Sequence, residues 1–599
     1  MKPALIGDYA LIGNLRTVAL VSKTGSIDWF CPVKFDTSAC FAALLGSEQN
    51  GQWLITPTEE CESERFYLAN TLVLETRFHG SAGSVSITDF MPLQGCSLIR
   101  IVRGLSGNLT MRMNCAPRFE YGLATPGIDA GKQVKFYHDD EQLLLSSDIS
   151  LTDKHLENDQ LSIKFNVAGG DQHWFVLSHH ECDRPDRLAW AADTDAFAAQ
   201  SQCVKWWEDW ADKNSYDGRW GDVVMRSLIT LKALTYQPSG AMVAAATTSL
   251  PEIPGGDANW DYRFCWLRDA TLVLDVLLTC NYQSEATAWL DWLEDALRNH
   301  DGPLRTLYTI EGRIAGEEAI LEQLPGYLNS RPVRVGNAAS RQYQMDLRGE
   351  LMDVLHVARN SGLKLQPGVW ELQCRVLDHL EARWREPDAG FWEVRGPYRQ
   401  LTLSKVMAWV AFDRSIQDAR RFNLPAPIER WCQTRDEIRQ QVLSHGVHSE
   451  HGYFTQQFDT EDLDASLLMI PLVGFLPATD RRMIKTVTAI EQQLCKNGFV
   501  YRYSGELNRC NVESTGNEGA FLLCSFWLAD NYLLAGRHQD AEDLFERLLD
   551  LCNDVGLMAE QYDPVNRQFL GNFPQSLTHL GLINSARLIG SHSQAQRSG

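Results

Sequence analysis

The sequence predicts two joined parts, an antiparallel β-sandwich and then an all-helical barrel, and three observations carry that expectation. At 599 residues the chain is too long for one ordinary hydrophobic core. Its first 200 or so residues break into short apolar runs separated by Gly, Asn and Asp, whereas after about residue 220 apolar residues recur at helical spacing. The helical part divides into twelve segments, the number that a double ring of six inner and six outer helices needs.

The strands come first. Thr17–Ser22 and Thr24–Phe30 flank a turn, and Thr71–Thr76, Ser84–Phe90, Ser97–Arg103, Thr110–Asn114, Gln142–Leu145 and Leu161–Phe165 follow. Short strands at such spacing make a sandwich. A helical connector is expected from about Asp193 to Asp212. The helices are Val223–Tyr236, Asp269–Tyr282, Glu285–Asn299, Met345–Ser361, Gly368–Trp384, Ser404–Phe422, Pro427–Ser444, Leu463–Phe475, Arg481–Leu494, Gly519–Ala535, Gln539–Asn553 and Ser576–Leu588. Rounded to domains, residues 1–200 are the sandwich, 201–220 the helical linker, 221–592 the barrel and 593–599 a disordered tail. Long loops at 237–268, 300–344 and 495–517 fall between alternate helices, so they gather at one end, where a site is expected.

Composition narrows the partners. A formal charge of −22 argues against nucleic acid or an anionic membrane, which call for a basic stripe. No stretch approaches the roughly 20 apolar residues of a membrane span. The start, Met1–Asp8, lacks the apolar region of a secretory signal. The 15 cysteines are scattered and never spaced Cys-x-x-Cys, and Cys265, Cys374 and Cys524 fall in apolar helical patterns; a cytoplasmic protein with reduced thiols is expected. Eighteen Trp and 17 Tyr offer faces on which sugar rings stack, but a large aromatic core would use them equally well.

Three segments are dense in aromatics, carboxylates and Arg. Asn259-Trp260-Asp261-Tyr262-Arg263-Phe264-Cys265-Trp266-Leu267-Arg268-Asp269 leads into a helix, so Asp269 could cap it or, with Arg268, grip sugar hydroxyls. In Ala389-Gly390-Phe391-Trp392-Glu393-Val394-Arg395-Gly396, a carboxyl beside an indole can be desolvated and stay protonated, or Glu393 can simply pair with Arg395. Glu560, in Leu557-Met558-Ala559-Glu560-Gln561-Tyr562-Asp563-Pro564, follows a helix where packing demands no carboxylate. Two carboxylates on one rim are the minimum for glycoside hydrolysis.

At these residues the chain resembles glycoside hydrolase family 15. Ile6-Gly7-Asp8-Tyr9-Ala10-Leu11-Ile12-Gly13, Gly25–Trp29 and Phe35-Asp36 are similar to the N-terminal domain of short bacterial members. Asn259–Asp269, Ser330-Arg331-Pro332-Val333-Arg334-Val335-Gly336-Asn337, Trp392–Gly396, Asn517–Phe521 and Ala559–Gln561 resemble the barrel motifs. The resemblance implies a β-sandwich on an (α/α)6 barrel, and inverting, exo-acting hydrolysis of an α-glucoside that releases β-glucose, with Glu393 as acid and Glu560 as base. It further implies that Arg268 and Asp269 hold the terminal glucose, with Trp260, Asp261, Trp266, Arg331, Arg334 and Trp392 also binding substrate. Glu350 is a rival acid whose helical surroundings favour a structural role. Family members often carry an aromatic at Arg348 and an acidic residue at Asn517, so the aglycone preference is open.

No metal or organic cofactor is called for. The expected partner is a small α-glucoside, α,α-trehalose first, because no starch-binding module is visible; glucoamylase-like or isomaltose-type action on short α-glucans is the alternative. A disaccharide phosphorylase and a sugar-binding regulator on an inactive barrel are more remote. Homo-oligomer formation is left open.

Overall fold

One strand organises the first half. In the computed structural model, which describes residues 4–151, 155–157, 159–181, 195–298, 304–504 and 518–598, Ser97–Ala116 runs unbroken for 20 residues. Its first part pairs with Gly83–Phe90 and Gln172–Glu181, its second with Gln52–Pro57 and Gln160–Ala168, always antiparallel. It therefore belongs to both sheets of the sandwich. The bend falls at Gly104, where a Cβ would lie 1.9 Å from the Ala168 carbonyl oxygen, and at Gly107, whose φ is +62°. The sequence reading took this turn signal as a break between strands at Ser97–Arg103 and Thr110–Asn114. The glycines instead steer one strand across the corner. The facing layers interlock through alternating inward residues: Phe165 of Gln160–Ala168 meets Phe175 of Gln172–Glu181 at 5.4 Å between ring centroids.

Helix α1 (Ala196–Ala211) connects the sandwich to the barrel, with Asp195 capping its N-terminus. The barrel follows as α2 (Gly221–Ala233), α3 (Leu267–Thr279), α4 (Gln283–Arg298), α5 (Asp346–Asn360), α6 (Gly368–Arg383) and α7 (Thr402–Arg421). After these come α8 (Ile428–His445), α9 (Met469–Leu472), α10 (Arg481–Gln493), α11 (Leu522–Leu534), α12 (His538–Leu549) and α13 (Ser576–Ser598). Helices α3, α5, α7, α9, α11 and α13 each touch the next around a closed inner ring, and the even-numbered α2–α12 lie outside. Burial follows this division: in α11 every residue from Leu522 to Leu533 is buried, whereas α10 and α12 alternate. This is the (α/α)6 architecture expected.

Two expectations need correction. Leu463–Phe475 is not one helix: a 3-10 turn at Ala465–Leu468, capped by Asp464, leads into the single turn of α9, where Pro471 supplies no backbone N–H and Gly474 ends the run. The backbone of residues 593–598 continues α13, so the tail read as disordered is helical up to Ser598. The reading stopped where the apolar pattern ended, but nothing after Gly590 breaks a helix. No helix among the described residues is long and apolar enough to cross a membrane.

The sandwich supports one end of the barrel. The Arg263 guanidinium lies between the rings of Trp29 and Tyr121, at 5.7 and 5.4 Å. It donates to the Tyr121 hydroxyl (2.9 Å) and the Thr37 carbonyl (3.1 Å), while Trp29 Nε1 donates to the Ala246 carbonyl at 2.9 Å. These contacts hold the loop before α3 from behind.

Candidate active site

The inner helices begin at the end where the long loops collect, and there the barrel opens into a cavity. Arg268 and Asp269 from the first turn of α3, Phe521 before α11 and Leu577 at the start of α13 line it, together with loops 252–262 and 391–395 and the side chains of Arg502 and Glu518. Glu393 and Glu560 both line it.

Glu393 sits in a tight turn in which its own N–H donates to the Gly390 carbonyl at 3.1 Å, and its φ of +58° is in the left-handed region. A non-glycine residue there costs of order 1–3 kcal/mol, and such strain is retained where the surroundings over-determine the position. The surroundings do so here: Oε1 accepts from Trp266 Nε1 (2.7 Å) and from Arg268 (3.0 Å). Among the described residues no hydrogen bond engages Oε2. The indole against this carboxyl is that of Trp266, and it presents its N–H rather than its face. Trp392 turns its Nε1 to Asp464 (2.8 Å) and packs against Phe391, Phe521 and Trp527 as part of the wall.

Glu560 stands just before the short strand Gln561–Asp563. Its Oε1 accepts from the Tyr262 hydroxyl at 2.8 Å, and Oε2 is buried with no hydrogen-bond partner among the described residues. Gly571 makes room for it: a Cβ there would lie 2.4 Å from Oε2. Burial, then the nearby charge of Glu252, pushes the Glu560 carboxyl up to about 8, against the pull of Arg502 and Tyr262. The strongly desolvated carboxyl is thus Glu560, where the sequence pointed to Glu393.

Asp269 is not a helix cap. The cap position of α3 is Trp266, and Asp269 lies inside the first turn, nearly buried, 3.4 Å from Arg268 Nε. Burial raises its carboxyl to about 6 against the pull of Arg268. Arg268 also donates to the Phe391 carbonyl (2.7 Å) and lies 4.6 Å over the Phe391 ring, so its position is fixed from several sides.

The other expected binders separate. Trp260 and Trp266 line the cavity. Asp261 does not; it is fully buried and committed to Arg263 (2.8 Å) and to the Gly336 N–H (3.1 Å), which makes it part of the support beneath the site. Arg334 donates to the Asp257 and Asn259 carbonyls and stacks 4.4 Å over Trp260, bracing that indole from outside the cavity. Arg331 is exposed and does not line the cavity. Glu350 lies on α5 with both oxygens buried and without protein partners; burial and Asp346 push its carboxyl up, and it does not line the cavity. Arg348 packs on Tyr343 at 4.5 Å, also away from the cavity. Asn517 lies outside the described residues.

Lining residues to which the sequence assigns no part in the reaction include Glu252, Tyr262, Arg395, Arg502 and Glu518. Tyr262, Arg395 and Glu518 stand inside motifs already singled out, and Arg502 between two tyrosines carries the same aromatic–Arg signal. Glu252, between Pro251 and Ile253, carries none.

The family model described as glycosyl hydrolases family 15 matches residues 218–587, and one described as trehalase-like, N-terminal, matches residues 2–147. A trehalase of Thermoplasma volcanium is 34% identical over 96% of this chain and 92% of its own length. A trehalase of Mycobacterium tuberculosis is also 34% identical, over 99% of this chain and 91% of its own. Among solved structures, a bacterial glucoamylase complexed with acarbose superposes with a TM-score of 0.74, covering 97% of this chain and 94% of that one. At 13% identity that likeness shows the fold.

Proposed function

Because the chain belongs to glycosyl hydrolases family 15, we propose that it is an inverting exo-hydrolase of small α-glucosides, with α,α-trehalose as its substrate and Glu393 and Glu560 as its catalytic pair. The observation that carries the proposal is that these two carboxylates face one cavity and are each held by a hydrogen bond from the same loop, Trp266 to Glu393 and Tyr262 to Glu560.

Glu393 would hold its proton on Oε2, since Oε1 already accepts two bonds. It gives that proton to the glycosidic oxygen as the C1–O bond breaks. Glu560, ionised, takes a proton from a water that attacks C1 from the opposite face, and inverting enzymes hold the two carboxyls ≈ 6.5–9.5 Å apart to admit that water. The first products are β-glucose from the attacked ring and glucose with its anomeric configuration retained from the leaving ring. A base raised toward neutral pH is the stronger proton acceptor once ionised. Arg268 and Asp269, at the closed end, would bind the hydroxyls of the terminal ring; Trp260 and Trp266 would pack on it.

A second reading exchanges the two roles. The raised Glu560 carboxyl favours it, since a raised carboxyl keeps its proton. The test is turnover of α-glucosyl fluoride, whose leaving group needs no acid: the variant lacking the acid stays active on it, and the variant lacking the base does not.

Substrate choice is tested by measuring glucose release from trehalose, maltose, isomaltose and maltotriose, with and without inorganic phosphate. Highest kcat/KM on trehalose with no phosphate requirement is expected. Preference for maltotriose would replace trehalase action with the glucoamylase-like alternative, and glucose 1-phosphate as product would mean a phosphorylase.

A further inference from the structure

Glu252 is a carboxylate in the wall of the same cavity, buried to 2% exposure, and the mechanism above does not use it. Three side chains from three separate segments converge on it. Trp260 Nε1 donates to Oε1 at 2.9 Å; Gln561 Nε2 donates to Oε2 at 2.9 Å; Arg502 ion-pairs with Oε2. Gln561 is the residue next to Glu560 and opens the strand that presents it. Arg502 also pairs with Glu518 at 2.8 Å, so one guanidinium bridges two buried carboxylates beside a third, Glu560. Burial raises the Glu252 carboxyl, and Arg502, Gln561 and Trp260, all donors, pull the other way and favour its anion.

We propose, on the reading that Glu560 is the base, that Glu252 is a positioning residue for the reaction: it fixes Gln561 and Arg502 beside Glu560 and places a carboxylate next to that base in the same wall.

The direction follows from the charges around Glu560. Glu252 comes from the segment after Ser249, Glu518 from the approach to α11, Arg502 from the hairpin end after Val500 and Tyr262 from the loop before α3; Glu393 faces Tyr262 from the 389–394 turn. Glu252 and Glu518 oppose ionisation of Glu560, while Arg502 and Tyr262 favour it. Of the two neighbouring carboxylates Glu252 acts more strongly. Hydrolysis by the free enzyme needs Glu560 ionised, so kcat/KM rises with pH through its titration. Removing the charge of Glu252 makes the Glu560 proton leave more readily, and the rise moves to lower pH.

The experiment is kcat/KM on trehalose against pH for the wild type, Glu252→Gln and Glu252→Asp, with melting temperatures alongside. Glu252→Gln is expected to move the acidic limb down by on the order of one pH unit, the low end for a like charge beside a buried carboxyl. Glu252→Asp keeps the charge and withdraws the contacts: the limb stays within a few tenths of a unit and kcat falls. A limb unmoved in Glu252→Gln, with activity scaled down equally at every pH, overturns the proposal. Should Glu252→Gln not fold, Glu518→Gln serves in its place; it shares Arg502, and its limb must move in the same direction by a smaller amount or the charge argument fails. Glu560→Gln separates this from the parent reading: if that variant keeps wild-type turnover, the base assignment falls whatever the Glu252 profiles show.

Discussion

Tyr262 and Trp266, four residues apart on one loop, meet edge to face with ring centroids 5.3 Å apart at 66°, and each donates to a different carboxylate of the pair. Both carboxylates thus accept from one stretch of chain, which Arg263 ties to the sandwich. The catalytic pair proposed above has to admit one water between its members, and donors from a single loop would hold both in place.

Removing either donor should therefore cost activity without unfolding the protein. Tyr262→Phe deletes a bond to the ionised base, about 1.5–3 kcal/mol or roughly 10- to 150-fold in kcat/KM, and Trp266→Phe a bond to the Glu393 carboxyl, about 0.5–1.5 kcal/mol or roughly 2- to 10-fold. Tyr262 also favours the ionised form of Glu560, so in Tyr262→Phe the acidic limb of kcat/KM should move to higher pH. Steady-state kinetics across pH check both; a profile displaced to lower pH would contradict the role given to this hydroxyl.

Glu393→Gln and Glu560→Gln should fold normally and lose on the order of 10²–10⁴ in kcat on trehalose. On α-glucosyl fluoride only Glu393→Gln should recover. Anomeric proton NMR in the first minutes of that reaction should show β-glucose; α-glucose first would mean a covalent intermediate in place of inversion. Glu350→Gln is the control. It lies behind Arg268 and outside the cavity, and a loss larger than that of Glu393→Gln would move the acid to α5.

Asp269 is inside the first turn of α3 rather than at its cap, so its loss should affect binding more than stability. Asp269→Asn is expected to keep its melting temperature within a few degrees and to lose at least about tenfold in kcat/KM. A lowered melting temperature with normal kinetics would return the residue to a purely structural role.

Stability should fall as pH rises through the neutral range. Asp530, buried on α11 and bonded to Ser585 at 2.6 Å, is raised by burial to about 7; Asp346 is raised to about 7 and Asp269 to about 6, in each case chiefly by burial. Each has a higher proton affinity folded than unfolded, so the folded state binds more protons from about pH 4 upward, and the stability this contributes is lost as pH rises through the folded values. Thermal unfolding at about pH 5 and about pH 8 should give the lower melting temperature at pH 8, and Asp530→Asn should narrow the difference. An unchanged difference in that variant would mean that Asp530 is not among the groups responsible.

Periodicity was enough to give twelve helical segments and the strand character of the first half, because a barrel helix or a sandwich strand must bury one face and the pattern of that face is written locally. Residue type and motif brought Glu393, Glu560, Arg268 and Asp269 to one cavity for the same reason: each stands where a loop meets a helix or strand of the rim. What lay beyond local pattern was direction and environment. Whether Asp261 points into the cavity or down to Arg263, whether Arg334 meets substrate or the back of Trp260, and which indole presents its N–H to Glu393 depend on segments distant in sequence. The same holds for Glu252, which no motif marks and which matters through Trp260, Gln561 and Arg502, and for Glu560, whose raised carboxyl comes from burial and a neighbour 308 positions away in the chain. Hydrophobic burial is additive along a segment and so is legible in it; the electrostatics of a buried group is a sum over whatever the fold brings within a few ångströms, and only the tertiary structure decides that sum.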